Sequence, residues 1–91
     1  MPVFHALVDA TPGREPEVER ALAENARILA FTRCKEGDHD FLVKFEAADF
    51  GRVDDVLQTY VRHIAGVKGV EIIVRWDAHG DAVREARERL G

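Results

Sequence analysis

Serine is absent from the 91 residues, which excludes every Ser-His-Asp arrangement and the GxSxG elbow that would present its nucleophile. Cysteine occurs once, as Cys34, so no internal disulfide can form and no CxxC pair exists for zinc or thiol exchange. A single cysteine of this kind reads as small apolar core material. Long hydrophobic runs are missing too. Stretches such as Phe41–Val43 and Ile72–Val74 fall far short of the roughly 20 residues that a membrane-crossing helix needs. Positive charge is not in excess: 13 basic against 17 acidic side chains give a formal charge of -4. Direct binding to DNA or RNA, which draws on displaced phosphate counterions, is therefore disfavoured. The first residues, Met1-Pro2-Val3-Phe4-His5, carry neither a basic region nor a long apolar stretch. They read as a first strand rather than a signal peptide, with the cytoplasm as the expected compartment.

What is present suits one folded domain spanning residues 1–91. Apolar residues make up 46% of the chain and charged residues 33%, enough to offset the entropy of ordering and to stay soluble. Val3 to Val8 is apolar on both alternating faces, the pattern of a strand covered on both sides. Thr11-Pro12-Gly13 breaks it, and Glu15 to Asn25 carries Val18, Ala21 and Leu22 at helical spacing with acidic residues in its first turn. A strand over Arg27 to Cys34 follows, with Ile28, Ala30, Thr32 and Cys34 on one side and Leu29, Phe31 and Arg33 on the other. The polar connection Lys35 to His39 returns the chain as a hairpin into Asp40 to Glu46.

Asp49 is placed to cap the next helix, whose apolar positions Val53, Val56, Leu57, Tyr60, Val61 and Ile64 form one continuous stripe. Gly66 and Gly69 bracket the turn out of it, and Val70 to Trp76 reads as the last strand. Asp77 to Gly80 punctuates before a terminal helix, Asp81 to Leu90, with Val83, Ala86 and Leu90 inward and Arg84–Glu88 and Glu85–Arg89 pairs outward. The order βαββαβ plus a helix predicts an α+β, ferredoxin-like sandwich of the dimeric α+β barrel type. In it a four-stranded antiparallel sheet carries both main helices on one face. The other face, with Phe4 or Leu7, Leu29 or Phe31, and Ile73, would then need a partner subunit to cover it. The terminal helix can pack on its own sheet or on a neighbour.

The stretch Glu36-Gly37-Asp38-His39-Asp40-Phe41-Leu42-Val43 resembles the glycine, acidic, aromatic-or-histidine, aspartate signature of Lrp/AsnC effector domains, also called RAM domains. Ile64-Ala65-Gly66-Val67-Lys68-Gly69-Val70-Glu71 is similar to that family's helix exit, so the resemblance runs from about Val3 to Arg75. The resemblance implies a stand-alone effector-binding and oligomerisation module, without the helix-turn-helix half for which no room precedes the first strand. It implies dimers or rings of dimers, an amino acid or related small molecule as effector, and co-assembly with a full-length Lrp/AsnC-type regulator as a possible role. In that family amino acids bind near the glycine-aspartate hairpin, a role that falls here to Gly37, Asp38, His39 and Asp40. Thr32 and Cys34 are second candidates to line the site. The last strand has Val70 and Ile72 where many members have threonines, which implies either a less polar ligand or a degenerate site and action through assembly alone.

The chemistry of such a site is concrete. Gly37 lets backbone N–H groups approach a carboxylate, while Asp38 or Asp40 can accept from an ammonium group. The structural alternative is that Gly37 only turns the hairpin and Asp40 ties its backbone. Asp38-His39-Asp40 also offers metal donors, but alternate residues of an extended hairpin point apart, and His5, His63 and His79 lie on separate elements, so neither a metal nor a cofactor is expected. No phosphate-binding glycine loop or HExxH pattern occurs. A non-catalytic module is the first expectation. The alternatives are a dimeric α+β barrel enzyme, such as a small cofactor-independent monooxygenase with His5 or Tyr60 in its cavity, and a purely structural oligomer.

Overall fold

The computed structural model describes residues 1–35 and 37–91; Glu36 of the hairpin motif lies outside the described residues. The elements are β1 (Val3–Ala10), α1 (Glu15–Glu24), β2 (Ile28–Arg33), β3 (Phe41–Glu46), α2 (Val53–Tyr60), β4 (Val67–Ile72) and α3 (Gly80–Leu90). Short 3-10 turns, Phe50–Arg52 and Trp76–Ala78, lead into α2 and α3. All strand pairs are antiparallel in the order β2-β3-β1-β4, the ferredoxin-like α+β arrangement expected from the sequence.

The apolar doubling of β1 has a direct structural meaning. Ala6 and Val8 join Phe41, Val43 and Phe45 of β3 in a core closed by Val18 and Leu22 of α1 and by Val53, Val56, Leu57 and Val61. Leu7, between them on the opposite face, packs with Leu42, Ile73, Val83 and Ala86 in a second core. Ala6, Leu7 and Val8 are all fully buried, because the sheet is covered on both sides. The second face therefore does not wait for a partner subunit to cover Leu7 and Ile73: the chain's own α3 lies on it. Of the outward pairs expected on α3, Arg89 does meet Glu85 at 3.1 Å, while Arg84 approaches Asp81 at 3.6 Å.

Three boundaries depart from the periodic pattern, each for a local reason. A register shift between Ile28 and Ala30 marks a bulge in β2, so Ile28 packs with the first core together with Phe31, and Leu29 is left exposed. Such an insertion reverses the facing of every residue before it. At the end of α2, the backbone N–H groups of Val61 and Arg62 both donate to the Leu57 carbonyl, which stops the helix at Tyr60. Tyr60 is exposed rather than part of the buried stripe, and Ile64 reaches the core from the following turn.

The last strand is Val67–Ile72 rather than Val70 to Trp76, although Ile73 continues the ladder by donating its N–H to the His5 carbonyl at 2.9 Å. Gly69 lies within β4, paired with Asp9. Gly66 alone makes the turn: its φ is +93°, and a Cβ there would stand 3.0 Å from Arg14 Cβ and 3.1 Å from Val18 Cγ2. Its carbonyl accepts from Thr11 N–H at 2.8 Å, which ties the start of β4 to the entrance of α1. Asp49 caps as expected, its Oδ1 accepting from Arg52 N–H at 3.1 Å, but it caps the 3-10 turn that precedes α2.

Candidate functional site

The β2–β3 hairpin sits at the end of the sheet where β1 also loses its regular pairing. The Cys34 N–H donates to the Asp40 carbonyl at 2.9 Å and closes the hairpin, and Gly37 turns it with φ +94°, a conformation that L side chains rarely adopt. Asp40 then reaches across: its Oδ2 accepts from the Ala10 N–H at 2.8 Å. Between Asp9 and Ala10 the β1–β4 register shifts, so this carboxylate satisfies a backbone donor at the irregularity.

His39 lies beside Asp40 but points to different partners. Its Nδ1 is 2.9 Å from Asp9 Oδ1, and its Nε2 is 3.8 Å from Glu71 Oε2. The His79 ring, in the turn before α3, has its centroid 6.4 Å from that of His39. Asp38 is exposed. An ideal Cβ on Gly37 would come within 3.7 Å of Ala82 Cβ, so the hairpin borders the first turn of α3. Gly37, Asp38, His39 and Asp40 are thus together, with Asp40 engaged by the backbone.

Thr32 and Cys34 lie on the face that α3 covers, with Cys34 at the base of the hairpin. Thr32 Oγ1 accepts from Arg89 Nε at 3.4 Å, and the same guanidinium donates to the Arg33 carbonyl. Cys34 packs against the second core. Burial pushes its thiol pKa up, with Arg89 opposing the shift and Asp40 and Asp9 adding to it. Sequence reasoning missed Asp9 and Glu71, and it set His79 aside as isolated on its own element, whereas the fold brings its ring to 6.4 Å from that of His39. The available signal was an acidic residue interrupting each of two apolar strands. Asp9 and Glu71 share the face of Leu7, because Leu7 pairs with Glu71 and Asp9 with Gly69, and alternate strand residues point the same way.

A second feature opens farther along the same face. His5, Lys44, Arg84, Arg87, Glu88 and Gly91 line a cavity of about 400 Å³. Trp76 stands next to it, with the His5 ring edge-on at 5.0 Å and the Arg87 guanidinium 4.3 Å from its ring centroid, within the range of a cation–π contact. Burial, then Lys44, then Arg87 push the His5 pKa below its ordinary value near 6.5. The unfolded chain therefore takes up this proton at a higher pH than the folded one. The stability it contributes is present above about pH 6.5 and is lost as pH falls through the folded value. His5→Gln is expected to flatten that part of the stability-against-pH curve, as followed by urea melts. An unchanged acid limb would contradict it.

No protein-family model matches the chain, and no curated protein matches it. Solved structures do. FFRP-DM1 superposes with a TM-score of 0.68 at 19% identity, over 80% of this chain and 96% of that one. TTHA0845 from Thermus thermophilus gives 0.68 at 20% identity, over 89% and 100%. E. coli AsnC gives 0.66 at 12% identity, over 80% of this chain and 50% of AsnC. The fold is of the Lrp/AsnC RAM type. At these identities the likeness is one of architecture. This RAM-type fold presents the Gly37–Asp40 hairpin with α3 seated beside it.

Proposed function

We propose that this chain is a non-catalytic effector-binding and oligomerisation module, which takes an amino acid or a related small zwitterion and acts by co-assembly with a full-length Lrp/AsnC-type regulator. The observation that carries this reading is the RAM-type fold shared with FFRP-DM1 and AsnC, combined with the placement of the hairpin. Gly37 is exposed with positive φ, so backbone donors are accessible to a carboxylate, and the exposed Asp38 supplies an acceptor for an ammonium group. One carboxylate oxygen of Asp40 is already taken by the Ala10 N–H of β1. Because α3 covers part of the sheet, self-assembly through that face would use the remainder, where the pair Val3–Glu46 lies.

The test is thermal unfolding with each of the twenty amino acids in the presence of a chelator. A specific effector raises Tm progressively, by the equivalent of about 2.7 kcal/mol at a hundredfold excess over Kd. The reading predicts that Gly37→Val and Asp38→Asn each remove the shift. No shift from any amino acid, or one that survives both substitutions, would sink it. Light scattering on the same samples reads the assembly.

One observation favours a second reading: His5, its pKa lowered, faces a cavity beside Lys44, Arg84 and Arg87. A cofactor-independent monooxygenase would use such an imidazole to take a proton from a phenolic substrate, with the cations holding the anion. Tyr60 is exposed on α2, across the sheet from His5, under the Arg27 guanidinium. Oxygen uptake with phenols and quinols tests the idea, and none across the His5 titration range retires it.

A further inference from the structure

We infer that His39, Glu71 and His79 form a binding site for a divalent transition-metal cation of the zinc type. One ligand atom from each of the three side chains lies within 4.8 Å of the others. His39 Nε2 and Glu71 Oε2 are already 3.8 Å apart, close to the roughly 3.3 Å edge that tetrahedral bonds of about 2.0–2.1 Å define. The Glu71 side chain is 56% exposed, so a rotamer change suffices to bring its oxygen in. Two imidazoles and one carboxylate suit zinc, cobalt(II), nickel(II) or copper(II) and do not suit calcium or magnesium, which take oxygen ligands.

The surrounding contacts support the assignment independently. Asp9 Oδ1 lies 2.9 Å from His39 Nδ1, the carboxylate–histidine arrangement that places the proton on Nδ1 and frees Nε2 to coordinate. An ion pair of His39 with its two carboxylates would account for Asp9 and Glu71 but not for the second imidazole. Among the described residues, no hydrogen bond engages the ring nitrogens of His79. Three protein ligands leave a fourth position open to water or to a donor from outside the chain.

The three ligands come from the hairpin, from β4 and from the turn before α3. Bound metal would therefore fasten the start of α3 to the sheet and strengthen the cover over Thr32 and Cys34.

The experiment is a titration of the untagged full chain, first stripped with chelator, with zinc, cobalt(II), calcium and magnesium. Zinc is expected to raise Tm by about 10 °C or more at free metal a hundredfold above Kd. Cobalt(II) is expected to give visible absorption bands of a low-coordinate site, and calcium and magnesium to give neither effect. His79→Gln and Glu71→Gln, both at partly or fully exposed positions, should abolish the zinc shift while far-UV circular dichroism stays unchanged. His63→Gln, at an exposed position outside the His39–Glu71–His79 cluster, should leave it intact. Absence of a zinc or cobalt effect, or a zinc shift that survives His79→Gln, overturns the site. The amino-acid melts run in chelator, so either proposal can fail while the other stands.

Discussion

Val83→Asp is expected to undock α3 while the first core stays folded. Val83 is 2% exposed and packs with Leu7, Leu42, Ile73 and Ala86. A carboxylate placed there meets no partner in that cluster, and an unpaired buried ion costs roughly 3 kcal/mol or more. Local release of an 11-residue helix avoids that cost more readily than global unfolding, because the core between α1, α2 and the sheet does not depend on α3 and local opening needs less free energy than losing the whole fold. The most direct readout is Cys34. Docked, its thiol is half-buried with a raised pKa, mainly from desolvation. Undocked, the pKa falls back and the sulfur opens to reagent, so labelling near neutral pH should accelerate about tenfold or more. Exposure of Leu7, Leu42 and Ile73 should also drive self-association. Unchanged labelling together with protected α3 amides would show that α3 docks by other contacts.

Most of the architecture was legible in the sequence because it follows from periodicity. The alternation in Phe41–Glu46 and the stripe Val53, Val56, Leu57 and Val61 each have one buried solution, and the structure adopts it. What escaped was local. A bulge at Leu29 leaves no mark in a six-residue strand, since Ile28 and Leu29 are both apolar and either can face inward. Gly69 resembled a turn residue, yet it pairs opposite Asp9 in β4, beside the register shift. The covered second face also escaped, because the amphipathic pattern of α3 specifies that Val83 and Ala86 must be buried but not against which surface.

The candidate site divides in the same way. The hairpin with Gly37 and Asp40 is a local feature, and its turn follows from a short polar run of sequence. The convergence of Asp9, His39, Glu71 and His79 joins residues from the first strand to the last helix's entrance and is created by strand register, which no spacing rule expresses. Thr32 and Cys34 were read on one strand face with Ile28, but the bulge returns Ile28 to the first core beside Phe31, and Thr32 and Cys34 face α3, where Arg89 engages Thr32. An uncovered sheet face could not reveal the helix that lies on it.

Phe41→Ala should be the most damaging single truncation within the hairpin motif, costing about 3–5 kcal/mol. Against the roughly 5–15 kcal/mol typical of small domains this is a large fraction, enough to leave a measurable unfolded population at physiological temperature. Phe41 is fully buried on the central strand β3. Its ring meets Phe31 edge-on at 6.2 Å, and the Arg33 guanidinium lies 5.5 Å from its centroid. Its neighbour Leu42 faces the opposite core, so the motif feeds both cores through adjacent residues immediately after the polar Asp38-His39-Asp40. Volume should matter more than aromaticity: Phe41→Leu is expected to cost about 1–2 kcal/mol, because a branched aliphatic side chain refills most of the space. Urea unfolding of both variants, with unchanged m-values, checks the ranking. A loss below about 1 kcal/mol for Phe41→Ala, far under the usual range for a core ring, would mean that the ring is not core packing, and that the hairpin's aromatic position serves a ligand instead.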